Sequence, residues 1–412
     1  MQINLKKYNT KNADSFKKQN SEPIKNINRL IYFSIFEPNE LFNQLMEYIW
    51  QSEDFPTFVF SKSEIVPLIQ QFAHDLGEIS GIVMGFSEEN KQDLFAEIML
   101  SEALKTSEIE GEYFSREDVM SSLKANLGIK DYHQNNRNKK ANAIAHLMIE
   151  IQNSYHKPIS EKILLDWHHI LMENEKGINA GQFRTGIEPM QVVSGKFGDF
   201  VIHYEAPPSE DLPVMIPKFL KWYNDFEMND IGKIGEGVVL SALAHLYFET
   251  LHPFEDGNGR IGRALAEKAL SEKLETPVFI SISKSIEKDK NRYYEELKLA
   301  QRNLEVNRWM LYFCSILQDA LLDSKNQALF TLKKTLFFDQ FKNQLNEREL
   351  KAIQKMTEMG ENSFVGGMNA KKYMSINKIS KATATRDLQH LSEIGVFIKS
   401  GGGRSISYQL NL

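Results

Sequence analysis

Twelve consecutive residues in the second half of the chain combine groups that could bind and transfer phosphate. They are His252-Pro253-Phe254-Glu255-Asp256-Gly257-Asn258-Gly259-Arg260-Ile261-Gly262-Arg263. The glycines let backbone N–H groups approach an anion without obstruction by a Cβ, and the start of the following helix adds positive potential. Two arginines three residues apart lie on one side of that helix, so both can bind the same polyphosphate. The segment predicts a phosphate-binding loop.

Two other side chains in this loop are suited to catalysis. Histidine titrates near neutral pH, which suits His252 as a general base that removes a proton from an attacking alcohol. Asp256 offers a hard oxygen ligand for Mg²⁺, which commonly bridges phosphate oxygens. A lone histidine at a helix end is often only a packing residue, but the nearby acid, glycines and arginines favour the catalytic interpretation.

The loop resembles that of the Fic family, His-x-Phe-x-Asp/Glu-Gly-Asn-Gly-Arg-x-x-Arg, at every fixed position. Flanking similarities extend the resemblance from about Leu104 to Phe313. The resemblance implies a protein adenylyltransferase, an enzyme that transfers AMP from ATP to Tyr, Thr or Ser hydroxyls of target proteins and of itself. Related family activities transfer other phosphate-containing groups or remove AMP, and these stay open as alternatives.

The resemblance also implies roles for single residues. His252 is similar to the family's base, Phe254 to the buried anchor of its loop, and Asp256 to its Mg²⁺ ligand. Tyr293 and Tyr294 are similar to the tyrosine pair that borders the family's nucleotide pocket, and aromatic core packing is the alternative for this pair. Gln301 stands where members often have Asn, so a contact between Gln301 and adenine stays open. The residues expected to contact ATP are Gly257, Asn258, Gly259, Arg260, Ile261, Gly262, Arg263, Tyr293 and Tyr294.

Upstream, Thr106-Ser107-Glu108-Ile109-Glu110-Gly111 resembles the inhibitory helix motif Ser/Thr-x-x-x-Glu-Gly of the same family. The resemblance implies that Glu110 pairs with Arg263 and takes the place of the γ-phosphate, with Thr106 and Gly111 as the other fixed positions. A bidentate Arg–carboxylate contact is strong when it is shielded from water. The alternative is an ordinary helix end with Gly111 after it.

Recurring helical periodicity predicts a mainly α chain. This pattern and the resemblance together imply a helical N-terminal region that ends in the inhibitory helix (1–112), a Fic catalytic core (113–322) and a winged-helix unit (345–412). One β-hairpin, about 192–204, is expected to interrupt the core. In the family this hairpin is a flap that pairs with an extended stretch of the target protein, which sets register without demanding a particular side chain. The alternative is a plain hairpin that closes the core.

The C-terminal pattern of helices, a Gly-rich turn and a short hairpin predicts a winged helix. Lys381, Arg386, Lys399 and Arg404 could meet DNA phosphates within 376–410, although winged helices also mediate homodimer or protein contacts. A second function class therefore stays open: a DNA-binding regulator whose Fic core only senses nucleotide.

The bulk composition fits a soluble globular protein. Net charge is -6 and hydrophobic residues make up 42% of the 412 residues, which argues against a basic coat for nucleic acid over the whole chain. Met1–Ser21 is polar, no apolar run is long enough to span a membrane, and the single Cys314 allows no disulfide framework. We expect a cytoplasmic protein without membrane contact.

Overall fold

The computed structural model describes residues 48–128, 138–196, 199–357, 364, 366–402 and 406–412, with only the main chain for 194–196 and 199–201. Three predicted features lie outside these residues: the first 47 residues of the N-terminal region, the tip of the hairpin at 197–198, and Arg404. Among the described helices, none combines the length and the apolar content that a membrane-spanning segment needs.

The chain is mainly helical, as predicted. In order the helices are α1 (Lys62–Met84), α2 (Glu88–Ile109), α3 (Arg116–Asn126), α4 (Lys139–Ser154), α5 (Glu161–Met172), α6 (Leu212–Asn224), α7 (Gly232–Leu251), α8 (Asn258–Lys273), α9 (Ile282–Lys288), α10 (Lys290–Ala300), α11 (Asn307–Phe341), α12 (Glu347–Thr357), α13 (Ala370–Asn377) and α14 (Lys381–Glu393). The strands are β1 (Gln191–Lys196), β2 (Asp199–Glu205), β3 (Phe397–Ser400) and β4 (Ser407–Leu410).

Contacts divide the described residues into two compact units. One holds the residues up to His74 together with Ala96–Leu321, and the other holds Asp75–Phe95 with Leu322–Leu412. The helices α1, α2 and the 35-residue α11 each continue from one unit into the other, and the predicted domain ranges stay a prediction. A linear reading of periodicity cannot detect residues that join a unit from far away in the sequence.

The helices α7 and α8 form the centre of the first unit. Every residue from Gly237 to Leu251 is buried, and so is every residue from Asn258 to Ser271. A helix that is buried on all sides belongs to a core, and it holds the loop at its end rigidly. The short connection between these two helices is the predicted phosphate-binding loop.

Local capping explains why several neighbouring helices begin where they do. The hydroxyl of Ser160 accepts a hydrogen bond from the N–H of Ile163, and Asn138 and Asp289 cap α4 and α10 in the same way. Such caps satisfy N–H groups that have no partner within the helix. The apolar periodicity of the sequence predicts a helix over Glu161–Met172, and α5 has these bounds.

The predicted β-hairpin is present as the antiparallel pair β1–β2, with Gln191 opposite Glu205 and an irregularity between Val192 and Val193. Its base is anchored to the helical core, because the hydroxyl of the buried Tyr204 donates to the carbonyl of Thr250 at 2.6 Å. The base of the flap is therefore fixed to the last turn of α7.

The C-terminal part of the second unit runs α12, α13, α14, β3 and β4, with β3 antiparallel to β4. The sequence pattern predicts a short helix at 376–380, but this placement is wrong, because α13 spans Ala370–Asn377. Asn369 caps this helix by accepting from Lys372 N–H, and Lys378 ends it in the left-handed conformation. The winged-helix assignment itself stays a prediction.

Candidate active site

The loop between α7 and α8 is closed by its own side chains. Asn258 accepts from the N–H of Phe254 and donates to its carbonyl, both at 2.9 Å. Gly257, with φ of +81°, allows the turn into α8, and a Cβ there would lie 2.3 Å from Cε of Met172. We expected Asn258 to meet phosphate, but in this structure its amide braces the loop.

Phe254 anchors the loop in the core, as predicted. It is fully buried and stacks on His168 with a centroid separation of 3.9 Å and an interplanar angle of 5°. Burial lowers the pKa of His168 to about 4, so this ring is neutral at physiological pH. Its Nδ1 accepts a hydrogen bond from the N–H of Gly181 at 2.9 Å.

His252 lies at the C-terminal end of α7, buried, with a left-handed backbone (φ 45°, ψ 57°). Its Nδ1 is 3.6 Å from Oε2 of Glu249, which is one turn earlier on the same helix. Burial alone would raise the pKa of Glu249, but its electrostatic interaction with His252 and the nearby positive charges outweigh burial and hold that pKa below its usual value. The predicted base therefore has an ionised partner.

The side chain of Arg184 holds the loop in place by donating hydrogen bonds to main-chain carbonyls of the loop and of its neighbours. Its Nε donates to the carbonyl of His252 at 2.8 Å, and its Nη2 donates to the carbonyls of Pro207 and Leu251. The N–H of Arg184 also donates to the carbonyl of Pro253. Arg184 lies within the flanking resemblance between Leu104 and Phe313, but nothing in the sequence indicates that it supports the loop.

The predicted contact between Glu110 and Arg263 is present. Nη2 of the buried Arg263 donates to Oε1 of Glu110 at 2.9 Å. Thr106 completes the contact, because Nε of Arg263 donates to its hydroxyl at 2.9 Å and Nη2 to its carbonyl at 3.1 Å. The last turns of α2 therefore occupy the guanidinium of Arg263.

The carboxylate of Glu110 also lies against the start of α8. A Cβ at Gly259 would be only 2.3 Å from its Oε1. This helix begins at Gly257 without a side-chain cap, which is a favourable place for an anion. Glu110 thus fills the position in which the sequence predicts phosphate.

Asp256 is half-buried beside the loop arginine Arg260, with 4.0 Å between its Oδ1 and Nη2 of the arginine. The same Oδ1 accepts from the N–H of Gly257 at 2.6 Å. Burial raises the pKa of Asp256, and the charges of Glu110 and Glu112 raise it further. A partly exposed carboxylate next to a phosphate-binding loop fits the oxygen chemistry that Mg²⁺ prefers.

Three residues predicted to contact nucleotide have a packing role in this structure. Ile261 is fully buried and its N–H is bonded to the carbonyl of Gly257. A Cβ at Gly262 would lie 2.6 Å from Oε1 of Glu249, so this glycine makes room for the partner of the base. Tyr293 is buried, with its hydroxyl 2.8 Å from Nε2 of His245.

The remaining predicted residues around the pocket differ in exposure. Tyr294 keeps 37% of its surface exposed, so it alone of the tyrosine pair has a ring open to a ligand. Gln301 is buried and donates to the carbonyl of Glu249 at 3.1 Å, which gives it a structural role. Gly111 ends α2 with φ of +83°, and the N–H of Glu112 returns to the carbonyl of Ser107.

Comparisons with known proteins agree with this geometry. Residues 158–270 match the family model Fic/DOC family, and residues 48–129 match Domain of unknown function (DUF4172). Protein adenylyltransferase Fic of Drosophila mojavensis is 30% identical over 142 residues, which cover 34% of this chain and 24% of that protein. The D. yakuba protein of the same name is also 30% identical over 142 residues. The matched stretch thus spans about a quarter of these relatives.

Two solved structures have weaker likeness. A Fic family protein from Desulfovibrio desulfuricans G20 is 18% identical, with a TM-score of 0.49 and coverage of 86% of this chain and 98% of that one. A Fic domain containing signaling protein from Bacteroides thetaiotaomicron VPI-5482 has the same identity and TM-score, and the match covers 65% of this chain and 97% of that one. Neither likeness bears on activity. The family match, which includes the whole loop 252–263, identifies a Fic/DOC domain at residues 158–270 of this chain.

Proposed function

We propose that the protein is an autoinhibited protein adenylyltransferase that transfers AMP from ATP to hydroxyl side chains of target proteins and of itself. The observation that carries this proposal is that His252 lies beside an ionised Glu249, in the loop that leads to the N-terminus of α8, where an anion can bind. A protein that only sensed nucleotide would not need a base at this position. The relatives named protein adenylyltransferase support the same activity.

In the proposed reaction His252 takes the proton of the target hydroxyl while the oxygen attacks the α-phosphorus of ATP. A new oxygen–phosphorus bond forms, the bond to the bridging oxygen of the β-phosphate breaks, and pyrophosphate leaves. Glu249 stabilises the protonated imidazole. Asp256 would hold Mg²⁺, which when bound neutralises charge on the phosphates.

Glu110 acts as the brake in this proposal. Its carboxylate bonds Arg263 and covers the start of α8, so the γ-phosphate of ATP cannot be gripped there. The α-phosphate would then be misaligned, and a displacement of about 1 Å can slow a reaction on the order of 100-fold. Glu110 therefore allows nucleotide entry but opposes productive alignment.

The flap is the proposed docking site of the target. In the described residues the β1–β2 sheet has two strands, so each strand has an outer edge that an extended peptide could pair with. Edge pairing supplies affinity through main-chain hydrogen bonds, so it does not specify one target sequence.

Isotope position distinguishes the proposed activity from its alternatives. ATP labelled at the α-phosphate should label the protein in the presence of Mg²⁺, and ATP labelled at the γ-phosphate should not. His252→Ala should abolish labelling while ATP binding, measured by calorimetry, stays close to the parent. Transfer from γ-labelled ATP would indicate phosphate transfer instead, and full labelling in EDTA would remove Asp256 and Mg²⁺ from the mechanism.

A second proposal concerns the C-terminal residues, which we propose bind duplex DNA. Residues 345–412 contain ten Lys or Arg and six Asp or Glu, a net charge of +4 in a chain of -6. Lys378, Lys381, Arg386 and Lys399 are exposed, whereas Ser380 caps α14 and Thr385 bonds the carbonyl of Lys381. The exposed cations can therefore contact DNA phosphates, whereas these two hydroxyls are already bonded within the helix and are less suited to contact base edges.

Fluorescence anisotropy with a labelled duplex tests DNA binding. Affinity should fall steeply with salt, and the double variant Lys381→Ala, Arg386→Ala should reduce the salt dependence. No binding at low salt would reject the proposal. A monomer–dimer shift in sedimentation would then favour the homodimer alternative.

A further inference from the structure

A second carboxylate lies near the loop, and no role was predicted for it. Glu112 follows the brake by two residues and bridges two cations, with Oε2 at 2.6 Å from Nη1 of Arg260 and Oε1 at 2.9 Å from Nζ of Lys140. Burial would raise the pKa of Glu112, but Arg260 and Lys140 outweigh it and keep that pKa below its usual value. Glu112 is therefore an anion held by one cation on each oxygen.

Arg260 has unused capacity to bind an anion. Its side chain is 6% exposed, and within the described parts of the chain its Nε has no hydrogen-bond partner. A guanidinium carries five N–H donors, and a buried donor without an acceptor is unusual. The short contact with Glu112 satisfies only one edge of the group, so a larger anion with several oxygens would satisfy it better.

Lys140 comes from the first turn of α4, well away from the loop in sequence. Its ammonium contacts both Glu112 and Glu175, and its side chain is 42% exposed. Two cations from separate elements thus converge on one carboxylate. This is the arrangement that a phosphate group requires, since its oxygens can accept from both.

We propose that Arg260 and Lys140 form an anion subsite, held in this structure by Glu112, that receives a phosphate of bound nucleotide when residues 110–112 withdraw. The inference rests on the proposed function for its ligand, and it adds Lys140 as a nucleotide-binding residue outside the loop. Glu110 and Glu112 flank Gly111, whose φ is +83° and around which a Cβ would meet nothing within 4 Å. One movement about this glycine would free both arginines of the loop.

Calorimetric titration with ATP and, separately, with adenosine tests the subsite. Glu112→Gln keeps the shape of the side chain but removes its charge, so ATP affinity should rise on the order of tenfold. Adenosine affinity should not change, because adenosine carries no phosphate. Adding Lys140→Met to Glu112→Gln should remove much of the gain. The matched control is Glu97→Gln, which removes a charge from α2 that pairs with Arg116 and not with the loop.

Three results would overturn the inference. ATP affinity that is unchanged or lower in folded Glu112→Gln would mean that Glu112 positions Arg260 rather than competing with phosphate. Equal gains for ATP and adenosine would exclude a phosphate subsite, and full ATP affinity in the Lys140→Met double variant would remove Lys140 from it. These are binding equilibria, so a failure of α-labelled ATP to label the protein would reject the proposed activity without affecting this test.

Discussion

Oε2 of Glu249 lies 3.6 Å from Nδ1 of His252, one helical turn earlier, and both side chains are buried. The carboxylate is ionised because the interactions with His252 outweigh the cost of burial. In the proposed reaction an ionised acid on the Nδ1 side stabilises the protonated imidazole and leaves Nε2 for proton transfer. This partner makes the base more than an isolated histidine at a helix end.

Glu249→Gln should therefore lower AMP transfer by roughly 10- to 100-fold, since the amide cannot stabilise a protonated imidazole. ATP binding should stay close to that of the parent. Initial rates of label incorporation, with ATP titrations alongside, check this. Glu236→Gln is the matched control, because Glu236 is on the same helix and pairs with Lys273 away from the base. Parental rates in Glu249→Gln would leave His252 without a functional partner.

Glu110→Gly should raise AMP transfer by roughly 10- to 100-fold, because Arg263 becomes free to hold the γ-phosphate. The double variant Glu110→Gly, Arg263→Ala should lose the gain, as expected for residues in direct contact. Glu108→Gly is the control for a glycine near the same helix end. Unchanged or reduced labelling by Glu110→Gly, with the melting temperature preserved, would reduce this segment to an ordinary helix end.

Gly262→Ala should impair transfer more than ATP binding. Its new Cβ would lie 2.6 Å from Oε1 of Glu249 and 3.1 Å from Nδ1 of His245, so the buried acid must shift. Overpacking of this kind costs about 1–3 kcal/mol of stability. Gly77→Ala, where a Cβ meets nothing within 4 Å, should be neutral or slightly stabilising. Comparison of the two variants by rate and thermal unfolding checks the prediction, and a fully active Gly262→Ala would contradict it.

His168 should make stability depend on pH. Its pKa is about 4 in the folded chain, below the value of 6.5 for a free histidine, so the unfolded state binds the proton first as pH falls. The contribution of His168 to the free energy of unfolding is complete above pH 6.5 and is lost as pH falls towards 4, with a total of about 3 kcal/mol. Urea unfolding of His168→Gln should show a smaller loss over this interval than the parent. The exposed His169→Gln should match the parent, and parallel curves for His168→Gln would exclude the effect.

Much of the local structure could be predicted from the sequence because it has local causes. The Ser160 cap and the apolar periodicity fix α5, and the glycines and charges of 252–263 predict the loop. The helix at Ala370–Asn377 was misplaced because its signal is a single capping residue, Asn369, inside a Gly-rich stretch. Short helices offer few turns of periodicity, so a cap must locate them.

The residues that support the site could not be predicted from the sequence, because their contacts join distant parts of the chain. Arg184 reaches the carbonyl of His252 across 68 positions, and Glu112 reaches Arg260 across 148. Such contacts leave no periodic pattern, because they depend on how helices pack. Glu249 was the exception, since an acid three residues before a helix-end histidine faces the same side. That spacing could have indicated the partner of the base.

The left-handed backbone of His252 favours glycine for stability, whereas the proposed reaction needs an imidazole at the same position. Conformations of this kind cost a residue with a Cβ about 1–2 kcal/mol, whereas glycine adopts them freely and is the usual residue at such a helix end. The substitution that the backbone favours would therefore remove the imidazole. Glycine at this position would be expected to stabilise the fold slightly, so the base proposed at His252 comes at a small cost in stability.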